Sequence, residues 1–256
     1  MGVSAMSELD PDPWSAFRNL TAARIGLPRS GASLATRPLL EFQLAHARAR
    51  DAVHAPLDEP RLLVDFAALG KTVLTVASAV TDRAQYLMRP DFGRTLADAA
   101  PLAPHAGDHD VAFVVTDGLS ARAVQAHAAP LLTAVLPLLA QDTWRIAPLV
   151  FARLGRVAIG DAVAAALGAR SVVVLIGERP GLSSPDSMGA YLTWQPGPAT
   201  TDADRNCISN IRPDGIGYAD AAFKLAHMLR AMRTQRLSGV RLKDESDRLM
   251  LQSRGP

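Results

Sequence analysis

The sequence predicts an α/β protein, in which a Rossmann-like, mostly parallel sheet domain is preceded by a helical N-terminal arm. Three short runs rich in β-branched residues, at 111–115, 146–151 and 171–176, alternate with stretches of helical periodicity, a pattern typical of βαβ units. The runs are continuously apolar, as expected for strands in a sheet that helices cover on both faces. Residues 188–194 predict a further strand, and residues 218–236 predict a long final helix.

The residues before this sheet predict helices. Thr36 is a suitable N-cap for a helix over 37–53, and Pro38 lies in its first turn, where a missing N–H costs nothing. Three apolar residues fall along one side of that helix: Leu40, Leu44 and Ala47. Two more helices are predicted over 60–69 and 71–87.

A linker separates the two parts of the chain. Residues 99–110 contain two prolines, one glycine and no apolar periodicity. We therefore predict a helical arm or subdomain over residues 1–105 and a Rossmann-like domain over residues 106–256.

Composition and charge argue against several classes of protein. The single cysteine forms no internal disulfide bond, and the longest apolar run, 128–140, is too short to span a bilayer. Residues 1–14 contain three carboxylates and no lysine or arginine, unlike a signal peptide. The net charge is only +2, and the basic stretch at 224–243 lacks the aromatic side chains on which bases stack. We expect a soluble intracellular protein that binds neither membrane nor nucleic acid.

Well-known catalytic and binding motifs are absent. The sequence has no G-x-G-x-x-G and no P-loop, and Arg122 stands where a G-x-S-x-G turn around Ser120 needs a glycine. His105 and His109 lie in the linker rather than on a helix face, so they do not predict a metal site. These motifs define no reaction.

The candidate site lies beyond the carboxyl ends of the strands, where ligands bind in open α/β sheets. Polar turns at 116–118 and 177–179 follow two predicted strands, and a polar loop at 204–210 holds the only cysteine, Cys207. Glu178 is either a hydrogen-bond acceptor for a ligand or an exposed ion-pair partner of the arginine that follows it. Cys207 is either a site residue or a small buried hydrophobe.

The residues alone leave two other functions open. One is an α/β module that binds a nucleotide-like ligand and does no chemistry. The other is a stand-alone hydrolase that uses Asp117, Ser120 and a histidine.

Four segments resemble the small subunit of ethanolamine ammonia-lyase, and the likeness extends over residues 12–242. The segments are LAHARARDAVH (44–54), TDGLS (116–120), GERPGLSSPDS (177–187) and RNCISNIRP (205–213). The resemblance implies a hetero-oligomeric, adenosylcobalamin-dependent radical enzyme that converts ethanolamine to acetaldehyde and ammonia. In that family a large barrel subunit holds the substrate pocket. The small subunit is inactive alone and supplies much of the cobalamin-binding surface.

The family's cofactor contacts correspond to Val157, Glu178 and Cys207 in this chain, and the resemblance implies no catalytic residue and no metal ligand here. Gly177 is expected to let the cofactor approach the backbone closely. Some cobalamin domains replace the cofactor's lower base with the histidine of a D-x-H-x-x-G motif, which this chain lacks. The expected binding mode therefore keeps dimethylbenzimidazole on cobalt. The implied location is the bacterial cytoplasm, and the acidic N-terminus leaves enclosure in a bacterial microcompartment open.

Overall fold

The computed structural model describes residues 14–21 and 23–253, so the acidic residues 1–13 lie outside the described part. Its helices are α1 (Ser15–Arg18), α2 (Thr36–His54), α3 (Glu59–Ala67), α4 (Arg83–Met88), α5 (Pro90–Gly93), α6 (Ala121–Ala140), α7 (Ile159–Leu167), α8 (Tyr218–Gln235) and α9 (Ser246–Ser253). Its strands are β1 (Arg29–Ser30), β2 (Ser33–Leu34), β3 (Val73–Ala77), β4 (His109–Thr116), β5 (Leu149–Arg153), β6 (Ala169–Gly177), β7 (Met188–Trp194) and β8 (Arg205–Ile211).

Strands β3 to β8 form one sheet in the order β3-β5-β4-β6-β7-β8. The first four of these strands run parallel, whereas β7 pairs antiparallel with β6, and β8 pairs antiparallel with β7. The predicted fold class, α/β with a mostly parallel sheet, is confirmed. A separate two-stranded antiparallel pair, β1 with β2, precedes the sheet.

Side chains of the central strand β4 alternate between the two faces of the sheet. Val111, Phe113 and Val115 pack in a core shared with α6 and α8. Ala112 and Val114 pack with α7 on the opposite face. Because both faces are covered, every position of this run favours an apolar residue, which explains its lack of polar alternation.

The connections leave the central strands toward opposite faces. β4 leads into α6 on one face, whereas β5 leads into α7 on the other and from there to β6, on the far side of β4. In open α/β sheets this topology opens a crevice beyond the carboxyl ends of the strands.

Helix α6 is a core helix. Among the described residues it is the one helix that is long and apolar enough to cross a membrane by length and composition, which the run at 128–140 alone did not predict. Leu131, Leu132 and Leu139 are fully buried in the core between the sheet and α8. Core packing is therefore a sufficient reason for the apolar sequence of this helix.

Helix α2 confirms the predicted helix over 37–53, and α3 confirms the one over 60–69. The residue at the N-cap of α2 is Ala35, so Thr36 is the first helical residue rather than the cap. Asp58 caps α3, since its carboxylate accepts a hydrogen bond from a backbone N–H of the first turn.

Most of α2 stands clear of the rest of the described chain. Its two buried residues, Ala49 and Ala52, lie near its C-terminal end. The predicted apolar side faces solvent, and the side chains of Leu40 and Leu44 are 58% and 52% exposed. An apolar side exposed along a helix is characteristic of a surface that another chain covers.

The prediction of a helix over 71–87 is wrong for most of its length. Val73–Ala77 is strand β3, which pairs with β5 at one edge of the sheet, and α4 covers only Arg83–Met88. Val73, Thr75 and Val76 are β-branched, and such residues lose side-chain freedom in a helix but fit a pleated surface. The sheet thus takes one strand from the part of the chain before the predicted boundary at residue 105.

Gly177 allows two segments of backbone to pack closely, and its expected role in the approach of a ligand stays a prediction. A Cβ atom at this position would lie 2.1 Å from the carbonyl oxygen of Ser120 and 2.6 Å from that of Asp117. These are backbone atoms of the turn that joins β4 to α6, so the end of β6 can approach this turn only without a side chain.

We predict that Gly177→Ala destabilises the protein by about 1–3 kcal/mol, because two backbone segments must move apart. Gly197→Ala is the matched control, since a Cβ atom there would meet nothing within 4 Å. Urea denaturation of both variants gives the change in the free energy of unfolding. Equal stability of the two variants would contradict the proposed close contact.

Candidate functional site

A cavity of about 630 Å³ opens beyond the carboxyl ends of β4, β5 and β6. The turns after these strands form its floor, and α4, α5, β7 and β8 contribute to its walls. Its lining residues are Tyr86, Pro90, Arg94, Leu119, Arg156, Val157, Ala158, Ile176, Gly177, Glu178, Arg179, Tyr191, Asp202, Arg205 and Cys207.

All three site residues named from the sequence line this cavity. Val157 belongs to the turn between β5 and α7, Glu178 follows β6, and Cys207 lies on β8. Their convergence follows from topology, because parallel strands place their carboxyl ends at one edge of the sheet. The roles of the three residues stay predictions.

Hydrogen bonds from neighbouring elements hold the carboxylate of Glu178 in place. The hydroxyl groups of Ser187 and Ser209 both donate to it, and the backbone N–H of Asn210 donates to Oε2 over 3.2 Å. Among the described residues no ion pair joins Glu178 to Arg179, so the carboxylate is oriented by Ser187, which directly precedes β7, and by β8.

The segment at 204–210 is a strand rather than the predicted loop. Arg205–Ile211 forms β8 at the edge of the sheet, where Cys207 lies opposite Tyr191 on β7. An edge strand keeps one side in contact with water, so it tolerates polar residues. Because the sequence of β8 is largely polar, it contains no apolar run that would predict a strand. Cys207 is exposed, so the interpretation of a buried hydrophobe is wrong.

The thiol of Cys207 is neutral at pH 7. The walls of the cavity remove part of the water around the sulfur atom, and the negative charge of Glu178 lies nearby. Both effects raise the pKa of the Cys207 thiol above its ordinary value. The side chain therefore offers the cavity a small, uncharged surface rather than a nucleophilic thiolate.

Sequence reasoning missed Tyr86 and Arg156. Two guanidinium groups contact the Tyr86 ring, with the Cζ atoms of Arg83 and Arg156 at 4.9 and 4.0 Å from its centroid. Its hydroxyl donates to the carbonyl oxygen of Gly155 over 3.2 Å, and burial raises the pKa of Tyr86 to about 12. The sequence carried no signal for this stack, because α4 and the turn after β5 are distant in the chain.

A buried carboxylate connects the floor of the cavity to the arm. Asp117 is 7% exposed, accepts a hydrogen bond from the backbone N–H of Leu154 over 2.7 Å and lies 3.3 Å from a guanidinium nitrogen of Arg83. Burial raises the pKa of Asp117, and the charge of Arg83 opposes the shift. Arg83 also donates to the carbonyl oxygens of Gly118 over 2.6 Å and of Val53, near the end of α2, over 2.7 Å.

A second buried ion pair ties α7 to β8. Both terminal nitrogens of Arg205 contact the carboxylate of Asp161, over 2.7 and 2.6 Å. The Arg205 side chain is 3% exposed, and Thr193 accepts a further hydrogen bond from it over 3.1 Å. This bidentate pair links α7 to β8, the strand that contributes to one wall of the cavity.

The geometry excludes the hydrolase arrangement. Ser120 is fully buried, its hydroxyl donates to the carbonyl oxygen of Pro185 over 3.1 Å, and it caps α6 by accepting from the N–H of Ala123. His127 is the buried histidine of α6, and its Nδ1 atom lies 2.8 Å from the hydroxyl oxygen of Tyr218. In the described part of the chain no hydrogen bond joins Ser120 to a histidine.

The described residues contain no group of three or more His, Cys, Asp or Glu side chains that could hold a metal ion. Nε2 of His109 lies 3.1 Å from the backbone carbonyl oxygen of His105. No histidine from the described part of the chain lines the main cavity.

We predict that Glu178→Gln speeds alkylation of Cys207 by about two- to fivefold at pH 8, because loss of the nearby negative charge lowers the thiol pKa. Iodoacetamide labelling followed by mass spectrometry measures the rate, and Cys207 is the only cysteine in the chain. Glu245→Gln, at an exposed position on another surface, is the control. An unchanged rate in Glu178→Gln would contradict the electrostatic coupling.

Comparisons with known proteins agree on one family. Residues 11–243 match the family model described as ethanolamine ammonia-lyase light chain (EutC). The chain is 52% identical over 250 residues to the ethanolamine ammonia-lyase small subunit of Ralstonia nicotianae, covering 94% of this chain and 92% of the relative. It is 49% identical over 259 residues to the small subunit of Azotobacter vinelandii, covering 98% and 96%. The chain therefore belongs to the ethanolamine ammonia-lyase small-subunit family.

Proposed function

We propose that this chain is the small subunit of an adenosylcobalamin-dependent ethanolamine ammonia-lyase and supplies part of the cobalamin-binding surface. A large barrel subunit supplies the substrate site, and the small subunit alone is inactive. When bound, the cofactor supplies the radical that starts the conversion of ethanolamine to acetaldehyde and ammonia. We propose the bacterial cytoplasm as its location, either free or enclosed in a microcompartment.

One observation carries this proposal. Val157, Glu178 and Cys207, which correspond to cofactor contacts of the family, line a single cavity although they come from three separate elements. The cavity lies at the edge of the sheet where α/β proteins bind ligands. Membership of a small-subunit family supports a large-subunit partner.

The chemistry of the cavity fits a corrinoid. Leu119, Val157 and Ile176 offer apolar surface to the methyl-bearing ring, while Glu178 and Arg156 offer an acceptor and donors to the amide side chains on its rim. The lining, in the described part of the chain, holds no histidine that could replace the lower base. That composition supports a binding mode in which dimethylbenzimidazole stays on cobalt.

Glu178 is suited to accept a hydrogen bond from a cofactor amide. A carboxylate has about four acceptor positions, and three donors from Ser187, Ser209 and Asn210 occupy part of them. These donors hold the carboxylate in one orientation before a ligand arrives, which reduces the entropy cost of binding.

Arm helix α2 is suited to contact the large subunit. Leu40 and Leu44 lie on one side of the helix and are more than half exposed. The buried residues Ala49 and Ala52 hold only its C-terminal end on the body of the chain. Covering the apolar side with a partner would remove it from water, a favourable change of about 25 cal/mol per Å².

Reconstitution tests the proposed function. The purified chain with adenosylcobalamin and ethanolamine should give no acetaldehyde, and addition of the large subunit should give turnover that depends on the cofactor. Cofactor-independent turnover by the assembled subunits would overturn the cobalamin proposal. Acetaldehyde from this chain alone would overturn its assignment as a non-autonomous subunit.

We predict that Glu178→Gln weakens cofactor binding by the assembled enzyme about tenfold, because a charge-assisted hydrogen bond becomes a neutral one. Glu178→Ala should cost about a hundredfold, because it leaves cofactor donors unpaired. Both variants should keep nearly the full rate at saturating cofactor, since they remove binding that is the same in the ground and transition states.

A cofactor titration with each variant measures these losses. Ser209→Ala should cause a smaller loss than Glu178→Ala, because it removes one of the three donors that orient Glu178 and keeps the carboxylate. If Glu178→Ala binds the cofactor as tightly as the unmodified protein, the residue has only an internal structural role.

We predict that the double change Leu40→Asp with Leu44→Asp weakens assembly with the large subunit at least tenfold, because two exposed apolar anchors become charged. Point changes are preferable to deletion of the arm, since deletion also removes the Val53 carbonyl oxygen that accepts from Arg83. Val240→Asp, at another exposed apolar position, is the control in a co-purification assay. Undiminished assembly of the double variant would show that this side of α2 is not the interface.

A further inference from the structure

The turn between β5 and α7 presents two unused backbone donors to the cavity. Gly155 N–H donates to the Thr116 hydroxyl oxygen over 2.9 Å, and Arg156 N–H donates to the carbonyl oxygen of Gly93 over 2.7 Å. The next two N–H groups, of Val157 and Ala158, have no hydrogen-bond partner among the described residues. Both residues line the cavity, at the N-terminal end of α7, where a helix favours an anion.

The side chain of Arg156 is a second donor group beside these backbone N–H groups. Its Nε atom is buried and has no partner in the described part of the chain. Its guanidinium plane is held in place, because Nη2 donates to the carbonyl oxygen of Tyr86 over 3.0 Å and Cζ lies 4.0 Å from the Tyr86 ring centroid. Arg156 as a whole is half-buried and lines the cavity, and a guanidinium held in a fixed plane there is suited to bind an oxyanion.

Other charges of the cavity do not neutralise Arg156. Arg205 is paired with Asp161, and Arg94 lies 3.8 Å from Asp202. The Glu178 carboxylate accepts hydrogen bonds from two hydroxyl groups and one backbone N–H. Among the described residues no carboxylate forms an ion pair with Arg156, so this part of the cavity is positive.

We propose that Arg156, together with the N–H groups of Val157 and Ala158, binds the phosphodiester of a cobalamin. This inference rests on the proposed function. A cobalamin that keeps its dimethylbenzimidazole carries one phosphodiester in the linker to that base, with a single negative charge. Its oxygen atoms accept hydrogen bonds from a guanidinium and from backbone N–H groups at a helix N-terminus.

Two corrinoids separate phosphodiester recognition from recognition of the ring. Cyanocobalamin carries the phosphodiester, whereas dicyanocobinamide lacks both the phosphodiester and the base. For the assembled two-subunit enzyme, Arg156→Gln should weaken cyanocobalamin binding about tenfold and leave dicyanocobinamide binding within about twofold. Arg156→Lys, which keeps the charge but loses the planar fork, should recover part of the loss. Absorbance or calorimetric titration measures both affinities without turnover.

Arg89→Gln is the matched control. Arg89 also stacks on an aromatic ring, with Cζ 4.2 Å from the centroid of Phe92, and it does not line the cavity. This variant should bind both corrinoids like the unmodified enzyme. Inorganic phosphate, compared with chloride at equal ionic strength, should compete with cyanocobalamin in the unmodified enzyme and lose this effect in Arg156→Gln.

The results distinguish failure of the phosphodiester site from failure of the proposed cobalamin binding. An equal loss for both corrinoids in Arg156→Gln would overturn the phosphodiester site and reduce Arg156 to packing on Tyr86. Unchanged binding of both would overturn it as well, while the cobalamin proposal would stand. If the unmodified enzyme binds neither corrinoid, the proposed function itself is wrong and the phosphodiester site falls with it.

Discussion

The candidate site depends on one buried carboxylate, that of Asp117. Its oxygen atoms join the turn after β4 to the turn after β5 through the N–H of Leu154 and to α4 through Arg83. The Asp117 side chain is 10% exposed and that of Arg83 is 23% exposed, so loss of the arginine would leave a largely buried charge unpaired, at a cost of about 3 kcal/mol, the lower end for a buried pair. Because Arg83 also donates to the carbonyl oxygen of Val53, the floor of the cavity and the end of the arm helix share one set of hydrogen bonds. The arm helix and the floor of the cavity are therefore joined through one side chain, that of Arg83.

The parallel and antiparallel halves of the sheet contribute different chemical groups to the lining of the cavity. The parallel half ends in backbone turns, and the β5 turn leads directly into α7, whose N-terminal end carries unpaired N–H groups. The antiparallel half adds β8, an edge strand that keeps Cys207 and Ser209 exposed. The bidentate pair of Arg205 with Asp161 links α7 to β8. The turn after β5 thus offers backbone donors to the cavity, and β8 offers it polar side chains.

The sequence predicted the parts of the fold that repeat a pattern. Continuous apolar runs identified β4 and β6, because both faces of these strands are buried. The same criterion missed β8, in which polar and exposed residues interrupt the apolar ones, and it misassigned β3, whose short run resembles part of a helix. Glu178 was found because the carboxyl end of a strand is a fixed place in the fold. Arg156 and Tyr86 could not be found in this way, since their contact joins α4 to the β5 turn and no local pattern records it.

Membership of a small-subunit family implies a large-subunit partner, and the exposed side of the arm helix agrees with one. The cavity lining offers donors, acceptors and apolar surface, and the described residues contain no group of three or more His, Cys, Asp or Glu side chains that could hold a metal ion. The Cys207 thiol has a raised pKa, and Ser120 is committed to a helix cap, so neither is activated for chemistry. The arm meanwhile exposes Leu40 and Leu44 to water. An apolar helix side left exposed agrees with a partner subunit that covers it, and Arg83 joins the end of this helix to the turn at the floor of the cavity.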